Sequence, residues 1–361
     1  MPQSILIIHN TLPSYRRELF ALLGSWFQID LYISETASES LKGVPGVQIS
    51  PLSGQGRKGA LQQLKEKKYA AVVTGNWDTP QQLWGFYSVA KYCRKQNVPY
   101  LVWSEEWAWP MTWRRKLVQP IISTLVQNAS AVIVPGVRSE QHFLQMGVRA
   151  KKIFWAPNAS RVEVREASFK ESTLPQILSV ARFLPRKGLD VLCKSFASMH
   201  VPAELILFGA DDSQAPGYRQ KLEQLCYALD IASRVHFIRD DGDVSAKVQA
   251  YANCDIFILA STAQPIAEPW GLVVNEVMEF AKPVVVTDAV GSANDLVQDD
   301  VNGFIVRAGD TNTLTRALDT LASQSSLREQ FGRASKERIV NFSYERMAEG
   351  FAQALRSVVK G

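Results

Sequence analysis

The sequence lacks the features that would place it across a membrane or in an oxidising compartment. No apolar run reaches the roughly 20 residues of a bilayer-spanning helix. Its four cysteines (Cys93, Cys193, Cys226, Cys254) are scattered through 361 residues, with no C-x-x-C pair and no metal-type spacing. Reduced, buried thiols follow, and neither a disulfide framework nor a zinc site is expected. The opening MPQSILIIHNTLP has no basic region and no cleavage-like site. Its apolar run reads as a first buried strand, not a signal peptide. The Asn-x-Ser triplets at Asn128, Asn158 and Asn341 are then idle. There is no low-complexity tract and no repeat shorter than a domain.

What is present describes a soluble, globular chain: 46% apolar and 21% charged residues over 40.3 kDa, too long for one ordinary core. The net charge of +5 hides an asymmetry. Residues 1–165 hold 20 Lys and Arg against 10 Asp and Glu, and the remainder holds 20 against 25. Eight of the nine tryptophans also lie in that basic part. A basic, Trp-rich part beside an acidic one points to different partners for the two, although charge runs also mark ordinary solvated faces. The basic residues are dispersed, not striped, and no nucleic-acid-binding module is recognised.

Short β-branched runs alternate with longer amphipathic stretches, the pattern of an α/β protein with parallel sheets. Strands are expected at Ser4–His9, Ile29–Ile33, Ala70–Thr74, Tyr100–Ser104, Ala131–Val134 and Ile153–Ala156, with helices at Ser14–Leu23, Thr79–Gln96 and Thr112–Asn128. A second series has strands at Gln176–Ala181, Glu204–Phe208, Val235–Ile238, Ile256–Ala260, Pro283–Thr287 and Phe304–Val306. Its helices fall at Gly188–Met199, Tyr218–Leu229, Ser245–Asn253, Leu272–Phe280 and Thr311–Ala322. Two doubly wound Rossmann-like domains in tandem result, 1–165 and 166–342, with the polar stretch Pro157–Leu174 as linker. An amphipathic segment at 343–361 is expected to pack back on the first domain. Ligands of such sheets bind beyond the carboxyl ends of the strands, and a cleft between facing domains is the expected site.

The chemistry-bearing residues fall after strands. In ARFLPRKGLDVL, Arg182 and Lys187 flank a strand-to-helix loop with Gly188 at the helix start, a cradle for a diphosphate. A solvated basic turn is the plain alternative. Gly209, in FGADDS, permits close backbone approach to a ligand. In EPWGLVVNEVMEFAKPVVVTD, Glu268 sits on a loop before a helix and Glu276 more than a turn inside it. One acid can take sugar hydroxyls and the other ribose hydroxyls, with phosphates on the amides between them, around Pro269, Trp270, Gly271, Leu272 and Val273. The plain alternative makes Glu268 a helix-end charge and Glu276 part of a solvated face. Asp241-Gly242-Asp243, the single D-x-D, reads as a turn, not a metal site, and Arg239 stands beside it on the expected base side of the donor.

ARFLPRKG, EPWGLVVNEVMEFAKPVVVTD and VGSANDLVQDDVNGFIV together resemble the retaining glycosyltransferases of family 4, with the GT-B fold, over about 174–309. The resemblance implies that Glu268 and Glu276 are the E-x7-E pair and Arg182 and Lys187 the phosphate-binding cations, with Asn294 or Asp295 near the position of the family's usual glutamate. It implies a hexosyltransferase that moves sugar from a UDP- or GDP-sugar to a hydroxyl acceptor such as a lipid-linked sugar, glycolipid or polysaccharide precursor. It further implies retention by front-face departure and attack, with no cofactor and no metal. The first domain departs from the family. HNTLPSYRRELF replaces a glycine-rich loop, making Asn10, Tyr15 and Arg16 acceptor-side candidates. Where a family histidine stands, the chain reads LVWSEEWAWP, so Glu105 or Glu106 takes its place. His9 is a weak candidate, and His142, His200 and His236 read as packing or surface residues. Pro135–Glu140 fits a strand-to-helix loop, and APNAS at 156–160 replaces a Pro-Asn-Gly turn. Rival readings are a non-catalytic nucleotide-sugar-binding module and a nucleotide-sugar epimerase.

The stretch 103–126 sets Trp103, Trp107, Trp109 and Trp113 beside Arg114-Arg115-Lys116. It suits peripheral contact of a cytoplasmic protein with an anionic membrane, while core tryptophans beside a charged helix face are the plain alternative.

Overall fold

The computed structural model describes residues 2–33, 43–51, 61, 62, 64–75, 77–108, 112–162, 173–263 and 267–359. The chain divides into two units: Met1–Ala159 with Phe342–Gly361, and Ser160–Asn341. The expected boundary at 165/166 falls among residues outside the described ones. Ser160 belongs to the second unit, where its hydroxyl donates to Glu276 Oε1 at 2.9 Å.

In the first unit the strands are β1 (Ser4–His9), β2 (Gln28–Ile33), β3 (Val47–Pro51), β4 (Ala71–Thr74), β5 (Tyr100–Trp103), β6 (Ala131–Val134) and β7 (Ile153–Trp155). They form one parallel sheet in the order β3-β2-β1-β4-β5-β6-β7. Ile5, Leu6 and Ile7 are all fully buried, as a central strand covered on both faces requires. The helices α1 (Arg17–Trp26), α2 (Pro80–Gln96), α3 (Trp113–Gln127) and α4 (Val137–Gln145) cross between strands. Local chemistry sets their ends: Thr79 and Gln82 form a reciprocal capping box before α2, and Asn97, at φ 55°, closes it in the left-handed region.

The second unit repeats the plan with β8 (Gln176–Val180), β9 (Glu204–Gly209), β10 (Val235–Arg239), β11 (Ile256–Leu259), β12 (Val284–Thr287) and β13 (Gly303–Val306). Its parallel order is β10-β9-β8-β11-β12-β13. Helices α5 (Leu189–Ala197), α6 (Tyr218–Ala228), α7 (Val244–Asn253), α8 (Leu272–Met278), α9 (Ala293–Leu296), α10 (Thr311–Ser323) and α11 (Ser325–Ile339) complete it. Each sheet reverses its strand order once, between β1 and β4 and between β8 and β11. Such a reversal opens a crevice at the strand carboxyl ends.

The last helix, α12 (Tyr344–Val358), is capped by Ser343 and belongs to the first unit. Met347, Phe351 and Leu355, all fully buried, join the core made by Leu19, Phe20 and Trp103. The expected elements are present with ends shifted by a few residues. Three differences stand out. The chain enters α1 through a 3-10 turn at Ser14–Arg16. Pro135–Glu140 is only in part a loop, because α4 starts at Val137. The strand β3 and the helix α11 have no counterpart in the expectations. All four cysteines are buried free thiols.

Candidate active site

The second unit gathers charged groups at its crevice. The loop after β8 carries Arg182, Arg186 and Lys187, and the segment after β11 carries Ser261 and Glu268. Lys187 Nζ donates to Glu268 Oε2; Arg186 Nη1 reaches the same oxygen at 3.3 Å and Ser261 Oγ at 3.4 Å. The Lys187 and Glu268 side chains are 11% and 12% exposed, so little solvent screens this pair. Burial opposes the Glu268 carboxylate, but the Lys187 ammonium, with Arg186 and the Ser261 hydroxyl behind it, prevails and holds the pKa below its ordinary value. Burial lowers the Lys187 pKa, against the pull of Glu268, and the charges of Arg186 and Arg182 lower it further.

Two backbone devices fix the acid. Glu268 N–H donates to Ala289 O at 3.0 Å, and Glu268 O accepts from Gly291 N–H at 2.9 Å. Ser292 Oγ donates to Trp270 O at 2.6 Å, while the buried Trp270 indole N–H donates to Asn275 Oδ1 at 2.9 Å. The loop after β12 thus braces the loop that bears Glu268. Gly271 joins that loop to α8 at φ 92°, which a side chain disfavours. Pro269 is exposed, and Leu272 and Val273 are half-buried at the start of α8.

Arg182 does not contact Glu268. Its exposed guanidinium pairs with Asp212 Oδ2 at 2.5 Å, and Arg186 takes the place beside the acid. Glu276 is buried, so the solvated-face alternative fails. Besides Ser160, its carboxylate binds Tyr251 OH at 2.7 Å and Lys247 Nζ at 3.0 Å, both from α7. Gly209 has a reason of its own to be glycine. A Cβ there would stand 1.9 Å from Ala181 O, so the neighbouring strand end already accounts for the glycine without any ligand. Arg239 is exposed at the end of β10. Asp241 and Asp243 serve the turn: Asp241 Oδ1 accepts from Asp243 N–H at 3.1 Å, and Asp243 Oδ1 caps α7 through Ser245 N–H at 2.8 Å. Asn294 is exposed and Asp295 buried on α9.

The first unit has its own polar cluster beyond β1 and β5. The buried Arg16 guanidinium pairs with Glu105 Oε1 and donates to Asn158 Oδ1 at 2.9 Å and Met347 Sδ at 3.4 Å. It also lies over the rings of Tyr15 and Trp103 at 5.4 and 5.1 Å. His9 stacks on Trp103 with centroids 4.6 Å apart and its Nδ1 is 2.8 Å from Thr11 O. Burial lowers its pKa to about 4, leaving it neutral at pH 7. Glu106 turns elsewhere, accepting from Trp77 Nε1 at 2.7 Å and Arg115 Nη2 at 2.5 Å. Burial raises its pKa, against the pull of Arg115. Asn10 accepts from Gln82 Nε2 at 3.0 Å. Of Glu105 and Glu106, then, only Glu105 joins Arg16.

Sequence reasoning named Arg16 and Glu105 but not their pairing. It missed Arg186, Ser261, Ser292, Tyr251 and Lys247. Arg186 was within reach, as a third cation in the PRKG loop. The other four carry no local signal.

The model of the glycosyl transferases group 1 family matches residues 160–338. The lipopolysaccharide core biosynthesis glycosyltransferase LpsE of Rhizobium meliloti is 28% identical over 184 residues, 51% of this chain and 50% of that protein. An uncharacterised glycosyltransferase of Methanocaldococcus jannaschii is 28% identical over 177 residues, 48% of this chain and 42% of that one. The chain thus spans about half the length of these curated relatives. The crystal structure of Anabaena HepE in complex with UDP superimposes with a TM-score of 0.80 at 19% identity, covering 98% of this chain and 100% of that one. Residues 160–338 thus match the glycosyl transferases group 1 model, on a chain with a two-domain GT-B fold.

Proposed function

We propose that the protein is a retaining glycosyltransferase that moves a hexose-type sugar from a UDP- or GDP-sugar to a hydroxyl acceptor. The observation that carries this reading is the part-buried Glu268 carboxylate, kept ionised by Lys187 and Arg186 at the crevice between β8 and β11. Glu268 is then an acceptor for sugar hydroxyls and a negative charge beside the anomeric carbon, and not a nucleophile. As the bond from anomeric carbon to phosphate oxygen breaks, charge grows on the departing diphosphate. Lys187, Arg186, Arg182 and the amides at the start of α8 stabilise that charge. In this scheme cations of the chain neutralise the leaving group, and transfer proceeds without added metal. The acceptor oxygen bonds the anomeric carbon from the face the diphosphate leaves, and its proton passes to the departing phosphate oxygen. Glu276, held by Tyr251 and Lys247, takes ribose hydroxyls.

Arg16, Glu105, Asn10 and Tyr15 form the acceptor side in this reading, with Glu105 preferred over Glu106 because it alone pairs with Arg16. LpsE belongs by name to lipopolysaccharide core synthesis, which supports a glycolipid or polysaccharide precursor as acceptor. HepE was solved with UDP, so UDP-sugars come first in the test. Purified protein is incubated with UDP-, GDP-, ADP- and TDP-sugars, with and without chelator, and donor consumption is followed by NMR. Slow hydrolysis of one donor, with the retained anomer released first and the rate lost in Glu268→Ala, supports the reading. Conversion to a new sugar nucleotide would identify an epimerase, and tight binding without turnover in the presence of acceptors a sensing module. No binding to any nucleotide sinks all three.

A further inference from the structure

We propose that the face formed by α2 and α3 in the first unit is a docking surface for an anionic lipid bilayer. On α3, Trp113, Leu117 and Ile121 recur every fourth residue along one exposed stripe, 67%, 68% and 48% accessible. On α2, Trp84 is 59% accessible and meets Tyr87 edge-to-face at 5.7 Å. A shallow groove joins the helices. One part, of about 400 Å³, is lined by Tyr87, Lys91, Arg94, Lys95 and Leu125, and an adjoining part of about 340 Å³ adds Pro120 and Ile121. Large apolar side chains left in water over so continuous a surface mark a binding face.

Charge identifies the occupant. Lys91, Arg94, Lys95 and Lys116 are exposed on the same two helices. Residues 79–139 contain only two acids, Glu105 and Glu106. Both are engaged, Glu105 with Arg16 and Glu106 with Arg115 and Trp77. Aromatic side chains at the interfacial depth beside basic side chains that reach phosphate headgroups suit a bilayer carrying negative lipids. A second copy docking through the same face would set this acid-free surface against itself, cation to cation. No helix among the described residues is long and apolar enough to cross a membrane, so the contact is peripheral. The face uses one tryptophan of the sequence motif 103–126 in full. Trp103 is core, Trp107 lies under Arg138 at 4.7 Å, and Trp109 and the Arg114 side chain fall outside the described residues.

The test needs no turnover, so its failure leaves the donor-site reading intact. The intact protein is sedimented with vesicles of phosphatidylcholine alone or with an equal part of phosphatidylglycerol, at low and high ionic strength. Binding is expected to the anionic vesicles at low salt and to weaken as salt rises. Replacing Lys91, Arg94 and Lys95 together by alanine should weaken partition on the order of 100-fold, at about fivefold per cation. Trp113→Ala with Leu117→Ala and Ile121→Ala should weaken it at least tenfold and reduce the blue shift of tryptophan fluorescence, leaving the part due to Trp84. Far-UV circular dichroism and denaturant melts of the variants check their folding. Absence of binding to anionic vesicles, or wild-type binding by both variants, overturns the proposal. So does self-association through this face that the same substitutions abolish, which would assign it to a second copy.

Discussion

At the residue scale the crevice of the second unit, proposed here as the donor site, centres on a single shared oxygen, Glu268 Oε2. Lys187→Ala leaves Arg186 at 3.3 Å as the remaining cation, so the fold should survive while stabilisation of the leaving group falls. Transfer is expected to drop by about 10²- to 10³-fold for Lys187→Ala, and by orders of magnitude for Glu268→Ala, with unchanged far-UV circular dichroism. Near-normal rates in either purified variant would remove these residues from the chemistry. A second residue-scale prediction concerns His142, buried on α4. Burial, reinforced by Arg115, lowers its pKa from 6.5 to about 4. The unfolded chain therefore binds this proton first as pH falls, and the folded state loses stability from about pH 6.5 down to pH 4. The slope is at most about 1.4 kcal/mol per pH unit for one such group. His9 contributes in the same direction. Urea melts at pH 7 and pH 5 should show the loss, and His142→Gln should make it smaller.

At the scale of elements, the pieces that were legible in sequence are those with a strong period or a linear motif. The central strands are near-continuous β-branched runs, and the crevice loops follow them. Strand β3 escaped because VQISP is short, half-polar and at the sheet edge, where a strand is not buried on both faces. Helix α11 escaped because SSLREQFGRASKERI is polar nearly all round, burying only Phe331, Gly332, Ser335 and Ile339. Pairings across long sequence separations left no trace. Arg16 meets Glu105 across 89 residues and Glu268 meets Arg186 across 82, and no local propensity encodes such contacts. Helix α12 was legible as amphipathic, and its contribution is testable. Phe351 is fully buried and edge-on to Trp103 at 4.8 Å. Phe351→Ala should destabilise the first unit by about 3–5 kcal/mol, measured by denaturant melts read on tryptophan fluorescence. A loss below about 1 kcal/mol would mean the core closes over the gap.

At the scale of the whole molecule, the two units differ in how the chain supplies them. The second is one continuous stretch, Ser160–Asn341, whereas the first is assembled from both ends of the chain. That difference fixes a timetable during synthesis. A chain emerging from the ribosome presents the first sheet early, but the surface of α1 that receives Met347, Phe351 and Leu355 stays uncovered until α12 has emerged. The second unit has all its residues by Asn341 and is free to close while the first still waits, reversing the usual N-to-C order. Force-sensing arrest sequences placed after successive C-terminal truncations should report the second unit's folding before the first becomes protease-resistant. A nascent chain of this protein therefore carries an exposed apolar surface throughout synthesis of the second unit, and chaperone demand should fall once α12 has emerged.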